Sequence, residues 1–389
     1  MGEVDHRSRT GIYRVIENLL VGLQNNSKVN VIPFSHNQFA EYTLKYMEKD
    51  RNQFSVQGFP NHNPGVLKST LGRLLPRKQD MALLTEKTLT DVVESSDIFH
   101  ATYLAFPQEL DGYKRIKKFI TIYDLIPIKF PEYFTDAHVD TFKKTIGSIT
   151  EDTFVFVISH STKNDLCNYR KDINPDNVFV THLAASDLFY PVTDEERKSA
   201  VKEKYGIPDG KYILSLATLE PRKNVETTIK AFAELICHEK TIDLNLVLVG
   251  TKGWKFDSIF NSIVKERDLA NRIIFTGYAD DEDLAPLYSS ALVFVYPSIY
   301  EGFGLPPLEA MQCGLPVISS NTSSLPEVIG DVGILVQPFD SKSICQGILD
   351  LLSDERKREM MSQKSIERGK KFSWNKCVQE TVDIYNKVK

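Results

Sequence analysis

The sequence predicts an α/β protein of two domains, each built on a parallel sheet with helices on both faces. Three observations lead there. The chain has 389 residues, more than one ordinary domain at about 150 residues apiece. Its short apolar runs are continuous rather than alternating, which marks strands buried on both faces. The segments between those runs place apolar residues at helical spacing, the alternation that produces parallel strands joined by crossover helices. With 42% hydrophobic and 25% charged residues, the composition is that of a globular protein and argues against disorder or a fibrous repeat.

In chain order, Ile12, Val15, Ile16, Leu19, Leu20 and Leu23 stripe one face of a helix that Gly11 opens. Strands are expected at Val29–Phe34, Ile98–Thr102, Phe119–Tyr123, Thr153–Ser159 and Val178–Thr181. The polar stretch from Asn37 to Thr90, with a turn-rich Asn61–Gly65 and a basic Arg73–Lys78, reads as a surface excursion; a mobile acceptor or membrane-facing region is the alternative. The boundary falls near Asp187–Gly210, where the charged helix at Asp194–Lys198 precedes the breakers Gly206, Pro208 and Gly210. Strands then recur at Tyr212–Leu219, Leu244–Val249, Arg272–Thr276, Leu292–Tyr296, Pro316–Ser319 and Ile334–Val336, with a helical stripe at Val225, Ile229, Phe232, Ala233 and Ile236. The expected domains are residues 1–190 and 191–371, facing each other across a cleft at the C-terminal strand ends, with 372–389 as a final helix.

Net charge is −5, which supplies no field for nucleic acid, and none is expected as a partner. The five cysteines are odd in number and form no CxxC, as in a reduced, intracellular chain. No apolar window of membrane-spanning length exists, and the start at Met1–Arg7 has no signal-peptide core. A cytoplasmic protein is expected, with attachment at the cytosolic membrane face left open.

The chemistry concentrates at strand ends. In Ser298–Met311, Gly302 and Gly304 allow close backbone approach beside a helix N-terminus that Leu305, Pro306 and Pro307 open. Glu301 in the loop and Glu309 in the helix suit vicinal hydroxyls of a sugar or ribose, because a carboxylate repels a diphosphate. Arg222 and Lys223, just after the strand Tyr212–Leu219, present cations to such a diphosphate, with Glu220 to orient one of them. Asp124 ends the strand Phe119–Tyr123 and is a catalytic or acceptor-binding candidate; the plainer reading is a cap for the turn before Pro127. His100, Tyr123 and His160 are further acceptor-side candidates, and Ser159 or Ser161 caps the next helix. Gly11 lets helix-end amides approach a phosphate. The histidines show no metal-ligand spacing. Neither GxGxxG nor GxxxxGK[ST] occurs, so nicotinamide and P-loop readings lack support.

These strings resemble the GT-B glycosyltransferase family 4, a retaining group with many polysaccharide mannosyl- and glucosyltransferases. Glu301 through Glu309 resembles its E-x7-E element, and Glu220-Pro221-Arg222-Lys223-Asn224 its diphosphate-binding string. The resemblance implies two Rossmann-like domains. It implies that Glu301 contacts donor-sugar hydroxyls, Glu309 the ribose, and Arg222 and Lys223 the diphosphate. Gly302, Phe303 and Gly304 would lie against the transferred sugar, Leu305 would be among the donor-binding residues, and Gly11 would lie near phosphate and acceptor. Phe372-Ser373-Trp374 resembles the segment before a last helix that crosses back to the N-terminal domain.

The implied reaction moves a hexose from a GDP- or UDP-sugar to a saccharide or lipid-linked saccharide, with no metal or other cofactor required. The acceptor attacks on the face the diphosphate leaves, a phosphate oxygen helping to remove its proton. Mannose is preferred, because Tyr123–Pro127 and Arg9–Arg14 resemble the mannosyltransferase-rich branch. A UDP-hexose glucosyltransferase, a non-catalytic sugar-nucleotide-binding assembly protein, and a nucleotide-sugar hydrolase or epimerase are the alternatives. Two departures stand out. Only ten, mostly polar, residues precede Gly11, so either the usual first strand is missing from this sequence or the N-terminal domain is adapted around its absence; a missing inner strand leaves an unpaired sheet edge unless another segment fills it. Tyr123 stands where many relatives have His, so that histidine's chemistry does not carry over, and at neutral pH Tyr123 acts mainly as a hydrogen-bonding group.

Overall fold

The computed structural model describes residues 11–31, 93–94, 96–216, 220–237, 243–251 and 267–388. The first described part comprises α1 (Gly11–Gln24), β1 (Ile98–Ala101), β2 (Lys117–Ile122), α2 (Ile126–Lys129), α3 (Asp136–Gly147), β3 (Thr153–Val157), α4 (His160–Tyr169) and β4 (Val178–Val180). The second comprises α5 (Glu195–Lys204), β5 (Tyr212–Leu216), α6 (Val225–Leu235), β6 (Asn245–Val249), α7 (Arg267–Asn271), β7 (Ile273–Gly277), α8 (Asp281–Ser290) and β8 (Val293–Tyr296). It continues through α9 (Leu305–Gln312), β9 (Val317–Ser320), α10 (Leu325–Ile329), β10 (Ile334–Val336), α11 (Ser341–Ser353), α12 (Glu355–Gly369) and α13 (Trp374–Val388).

Two sheets result. One has four strands in the order β1-β2-β3-β4, and the other six in the order β10-β9-β8-β5-β6-β7. Every neighbouring pair of the six-stranded sheet is parallel. Continuous burial is what such strands need: Leu246, Val247 and Leu248 on β6 and Val293, Phe294 and Val295 on β8 are shielded from solvent on both faces. The helical stripe Val225, Ile229 and Phe232 packs in the same core as Ile344, Ile348 and Leu351 of α11. The architecture is the two-sheet GT-B type.

The chain divides into two compact units, one of Met1–Ala101, Phe106–Phe119 and Thr381–Lys389, the other of Thr102–Ala105 and Ile120–Glu380. In the first, Phe119 packs edge-on to Tyr385 at 4.9 Å between ring centroids, and Val93, Leu110 and Ile116 form a small core.

Some expectations shift. Val29–Val31 are not a strand, because the Val29 N–H turns back to Asn26 O and closes the end of α1; the rest of Val29–Phe34, the excursion Asn37–Thr90 and residues 217–219 lie outside the described residues. β3 stops at Val157 instead of Ser159, because the Ser159 side chain accepts the Thr162 N–H and caps α4. The two prolines behind Gly304 do open a helix, α9.

One residue ties this second sheet's loops together. Asn224, between the Pro221–Lys223 turn and α6, sits at φ 55°, a left-handed conformation that Asn tolerates better than most residues. Its buried amide donates to Pro297 O at 2.9 Å and Pro338 O at 2.5 Å, and its Oδ1 accepts from Thr227 Oγ1 at 2.7 Å. Asn224→Ala leaves two buried carbonyls unpaired and strains φ, so it is expected to cost about 2–4 kcal/mol of unfolding free energy. Asn224→Gly restores the backbone freedom but neither bond, and urea denaturation should show it recovering only a minor part of that loss.

Candidate active site

β5 and β8 are parallel neighbours, with Ile213 paired to Val293 and Leu214 to Phe294. From β5 the chain winds outward through β6 and β7 and then resumes on β5's other side at β8. The order therefore reverses between these two strands, and the loops at their C-terminal ends frame the crevice where open parallel sheets bind ligands. The turn carrying Arg222 and Lys223 follows β5, and the loop carrying Glu301 follows β8.

The two loops meet as one buried ion cluster. Glu301 Oε1 accepts from Lys223 Nζ at 2.7 Å, Tyr296 OH at 2.8 Å and Ser298 Oγ at 2.6 Å. Its Oε2 pairs with Arg222 Nη1 at 3.0 Å. Arg222 Nη1 also donates to Tyr300 O at 2.7 Å, and its Nη2 to Glu220 Oε1 at 2.7 Å, so Glu220 does orient the guanidinium. Ser323, held at φ 52°, accepts the Glu301 N–H through its Oγ at 2.9 Å, and Ser324 Oγ donates to Glu301 O.

Burial opposes the charge on Glu301, but Lys223 and Arg222 outweigh it and hold the carboxyl down to about 2. Burial lowers the Lys223 ammonium's pKa, with Glu301 resisting. Arg222 is raised: burial works against its charge, and Glu301 and Glu220 prevail.

Asp124 lies against this cluster. A Cβ at Gly302 would stand 2.5 Å from Tyr123 O and 2.9 Å from Asp124 Cβ, so only glycine lets the Glu301 loop approach the end of β2 this closely. Asp124 Oδ1 accepts the Ile126 N–H at 2.8 Å, which realises the local cap and opens α2. Burial raises the Asp124 pKa against the pull of that N–H and of Arg222, with Glu301 adding to the rise. Tyr123 is buried and its OH, also pushed up by burial, has no hydrogen-bond partner among the described residues. Thr162 Oγ1 bridges Tyr123 O at 3.2 Å and Gly302 O at 3.4 Å.

Other sequence-predicted residues are placed apart from the ion cluster. Glu309 is buried on α9 and accepts from Tyr288 OH at 3.1 Å. Gly304 takes φ 120° at the start of α9, just ahead of Leu305, and Phe303 stacks edge-on to Phe372 at 5.8 Å. His160, first in α4, lies 5.8 Å ring to ring from His182. His100 and Gly11 belong to the first compact unit; His100 Nδ1 meets Tyr385 OH at 2.5 Å, and burial lowers its pKa to about 3, so its ring is neutral.

Sequence reading missed Tyr296 and Ser323, which complete the Glu301 shell, and the brace made by Tyr300, Asp165 and Lys129. Tyr300 OH donates to Asp165, whose other oxygen pairs with Lys129 at 2.5 Å, and the Lys129 ammonium lies 4.9 Å from the Tyr300 ring. Only Tyr296 carried a signal, as a polar tip at the end of an apolar strand.

Residues 197–368 match the family described as Glycosyl transferases group 1. The chain is 32% identical over 386 residues to the O-antigen chain mannosyltransferase B of Escherichia coli, covering 97% of this chain and 96% of that protein. It is 34% identical over 255 residues to the serotype-specific mannosyltransferase WbdA of Escherichia coli, which is 65% of this chain but only 31% of that protein. Among solved structures, Anabaena Alr3699/HepE in complex with UDP and glucose superposes with a TM-score of 0.67 at 17% identity, over 97% of this chain and 96% of that one.

The Glu301 cluster has a pH signature. The carboxyl sits near 2 in the fold against an ordinary 4.5, so its stabilisation is present above about 4.5 and disappears as pH falls toward 2. Glu301→Gln is expected to lose about 3 kcal/mol at pH 7, where it leaves two buried cations under-neutralised. Urea titrations should also give it a shallower fall in stability than the parent between pH 5 and pH 3; parallel slopes would remove the ion cluster as their cause.

Proposed function

Because the chain belongs to the group 1 glycosyltransferases, retaining enzymes of GT-B fold that move a sugar from a nucleotide donor to a saccharide or lipid acceptor, we propose that the sugar is mannose and the donor GDP-mannose. The likeness to an O-antigen chain mannosyltransferase over nearly the whole of both chains supports that reading. The acceptor is then a growing saccharide or lipid-linked saccharide, and the reaction a step of polysaccharide synthesis. Residues 1–190 form the acceptor side, 191–371 the donor side, and 372–389 the returning helix. The work is cytoplasmic, at the cytosolic membrane face when the acceptor is lipid-linked; among the described residues no helix is long and apolar enough to cross a membrane.

The ion cluster suggests how these residues act. Arg222 and Lys223 already share one buried carboxylate, and an arriving diphosphate competes with Glu301 for them. Once they turn to the phosphates, Glu301 is free to accept from sugar hydroxyls. Preorganised cations that neutralise the leaving diphosphate lower the barrier most where water is excluded. Glu309, paired with Tyr288, takes the ribose hydroxyls. Loop amides from Gly302 to Leu305 face the sugar, because Pro306 and Pro307 have no N–H to offer. Asp124, against Gly302, orients the acceptor hydroxyl, with Tyr123 beside it. The sugar–phosphate bond breaks as the acceptor oxygen bonds the same face, and the acceptor proton passes to a phosphate oxygen.

Nucleotide release from a panel of GDP- and UDP-sugars, with mass measurement of any product, tests the donor. GDP-mannose is expected to be consumed, and turnover of UDP-glucose with GDP-mannose inert would overturn the mannose reading. Arg222→Ala should lower kcat/KM about 100- to 1000-fold through the lost transition-state donor; an unchanged value rejects its role. Glu309→Ala should weaken donor binding by calorimetry at least about tenfold, as loss of a charged hydrogen bond does.

A further inference from the structure

Three side chains outside the ion cluster converge from distant segments: His160 at the start of α4, His182 just after β4, and Glu327 in α10. Their ligating atoms all lie within 4.8 Å of one another. Glu327 Oε1 meets His182 Nε2 at 2.5 Å, and its carboxylate receives the His160 N–H at 2.9 Å on both oxygens and the Ser161 N–H at 3.4 Å.

A simpler account makes Glu327 an acidic cap on α4 with His182 as its ion-pair partner. That explains two of the residues. It gives the His160 imidazole no part, although that ring is exposed and stands 5.8 Å from His182. We propose that His160, His182 and Glu327 form a binding site for a divalent transition-metal ion of the zinc class.

The donor set fits that ion. Two imidazoles and one carboxylate with water in the fourth position suit zinc, whereas magnesium favours an all-oxygen shell. Tetrahedral coordination at about 2.0–2.1 Å places ligand atoms about 3.3 Å apart, so the His182–Glu327 pair must part by less than about 1 Å to admit the ion. The supporting groups are in place. Backbone N–H groups hold the carboxylate, Arg368 bonds the carbonyls of Glu327 at 2.6 Å and Val328 at 3.0 Å, and His182 packs between Phe303 at 6.2 Å and Phe372 at 5.8 Å. Outer contacts of this kind orient ligands and strengthen metal sites. A bound ion would brace α4 and α10 beside Phe303, the residue next to Gly302. Motif spacing could not reveal the site, since its ligands lie 22 and 145 positions apart along the chain.

Tag-free, chelator-treated protein titrated with Co2+ tests the site by the visible bands of tetrahedral cobalt, which Zn2+ should displace. One equivalent is expected to bind, and Zn2+ should raise the thermal midpoint. His160→Ala is the deciding variant, because it removes a ligand but leaves the Glu327 cap and the His182 pair intact. It is expected to keep the parent's urea midpoint and to lose at least about tenfold in cobalt affinity, together with the Zn2+-dependent rise. Glu327→Gln should lose the bands as well. Absence of the bands in the parent, or equal affinity in parent and His160→Ala, would overturn the proposal. Neither readout involves transfer activity, so the result stands apart from the donor assignment.

Discussion

Burying Glu301, Arg222 and Lys223 is tolerable only if they meet, and much of the second sheet's geometry serves that meeting. Isolated charges taken out of water cost several kcal/mol each, and pairing offsets this only when hydrogen bonds complete the shell. Tyr296, Ser298 and Glu220 supply those bonds. The loops that carry the charges follow β5 and β8, strands about eighty residues apart in sequence that become neighbours only because the strand order reverses between them.

Several local features are consequences of that contact. Asn224 adopts a left-handed backbone so that its amide can hold the chain beyond both β8 and β10. Gly302 gives up a side chain so that Asp124 and the Tyr123 carbonyl can lie against the Glu301 loop. Tyr300 spends its hydroxyl on Asp165 of α4 and its carbonyl on Arg222. Pairs on the surface, such as Lys204 with Asp280 and Asp283, are solvated alternatives of similar free energy and constrain little by comparison.

The same electrostatics connect stability to chemistry. Two cations and the carboxylates of Glu301 and Glu220 nearly cancel, while burial pushes Asp124 toward its protonated form. A cluster balanced in this way holds its cations in position without solvent reorganisation. The pairing that stabilises this part of the fold therefore also fixes where the two cations stand.

The order of elements, the parallel sheets and the strand-end location of Arg222, Lys223, Glu301 and Asp124 were legible in the sequence, because they follow from apolar periodicity, Gly and Pro punctuation and charge at the ends of buried runs. Glu220's hold on Arg222 was legible too, since it is local. Tertiary structure alone decided that Glu301 neutralises both cations directly, that Asp124 touches Gly302, and that His160, His182 and Glu327 share one small volume. Those are contacts between residues 22 to 178 positions apart, and a one-dimensional pattern carries the period of each segment but not the strand order that brings their ends together.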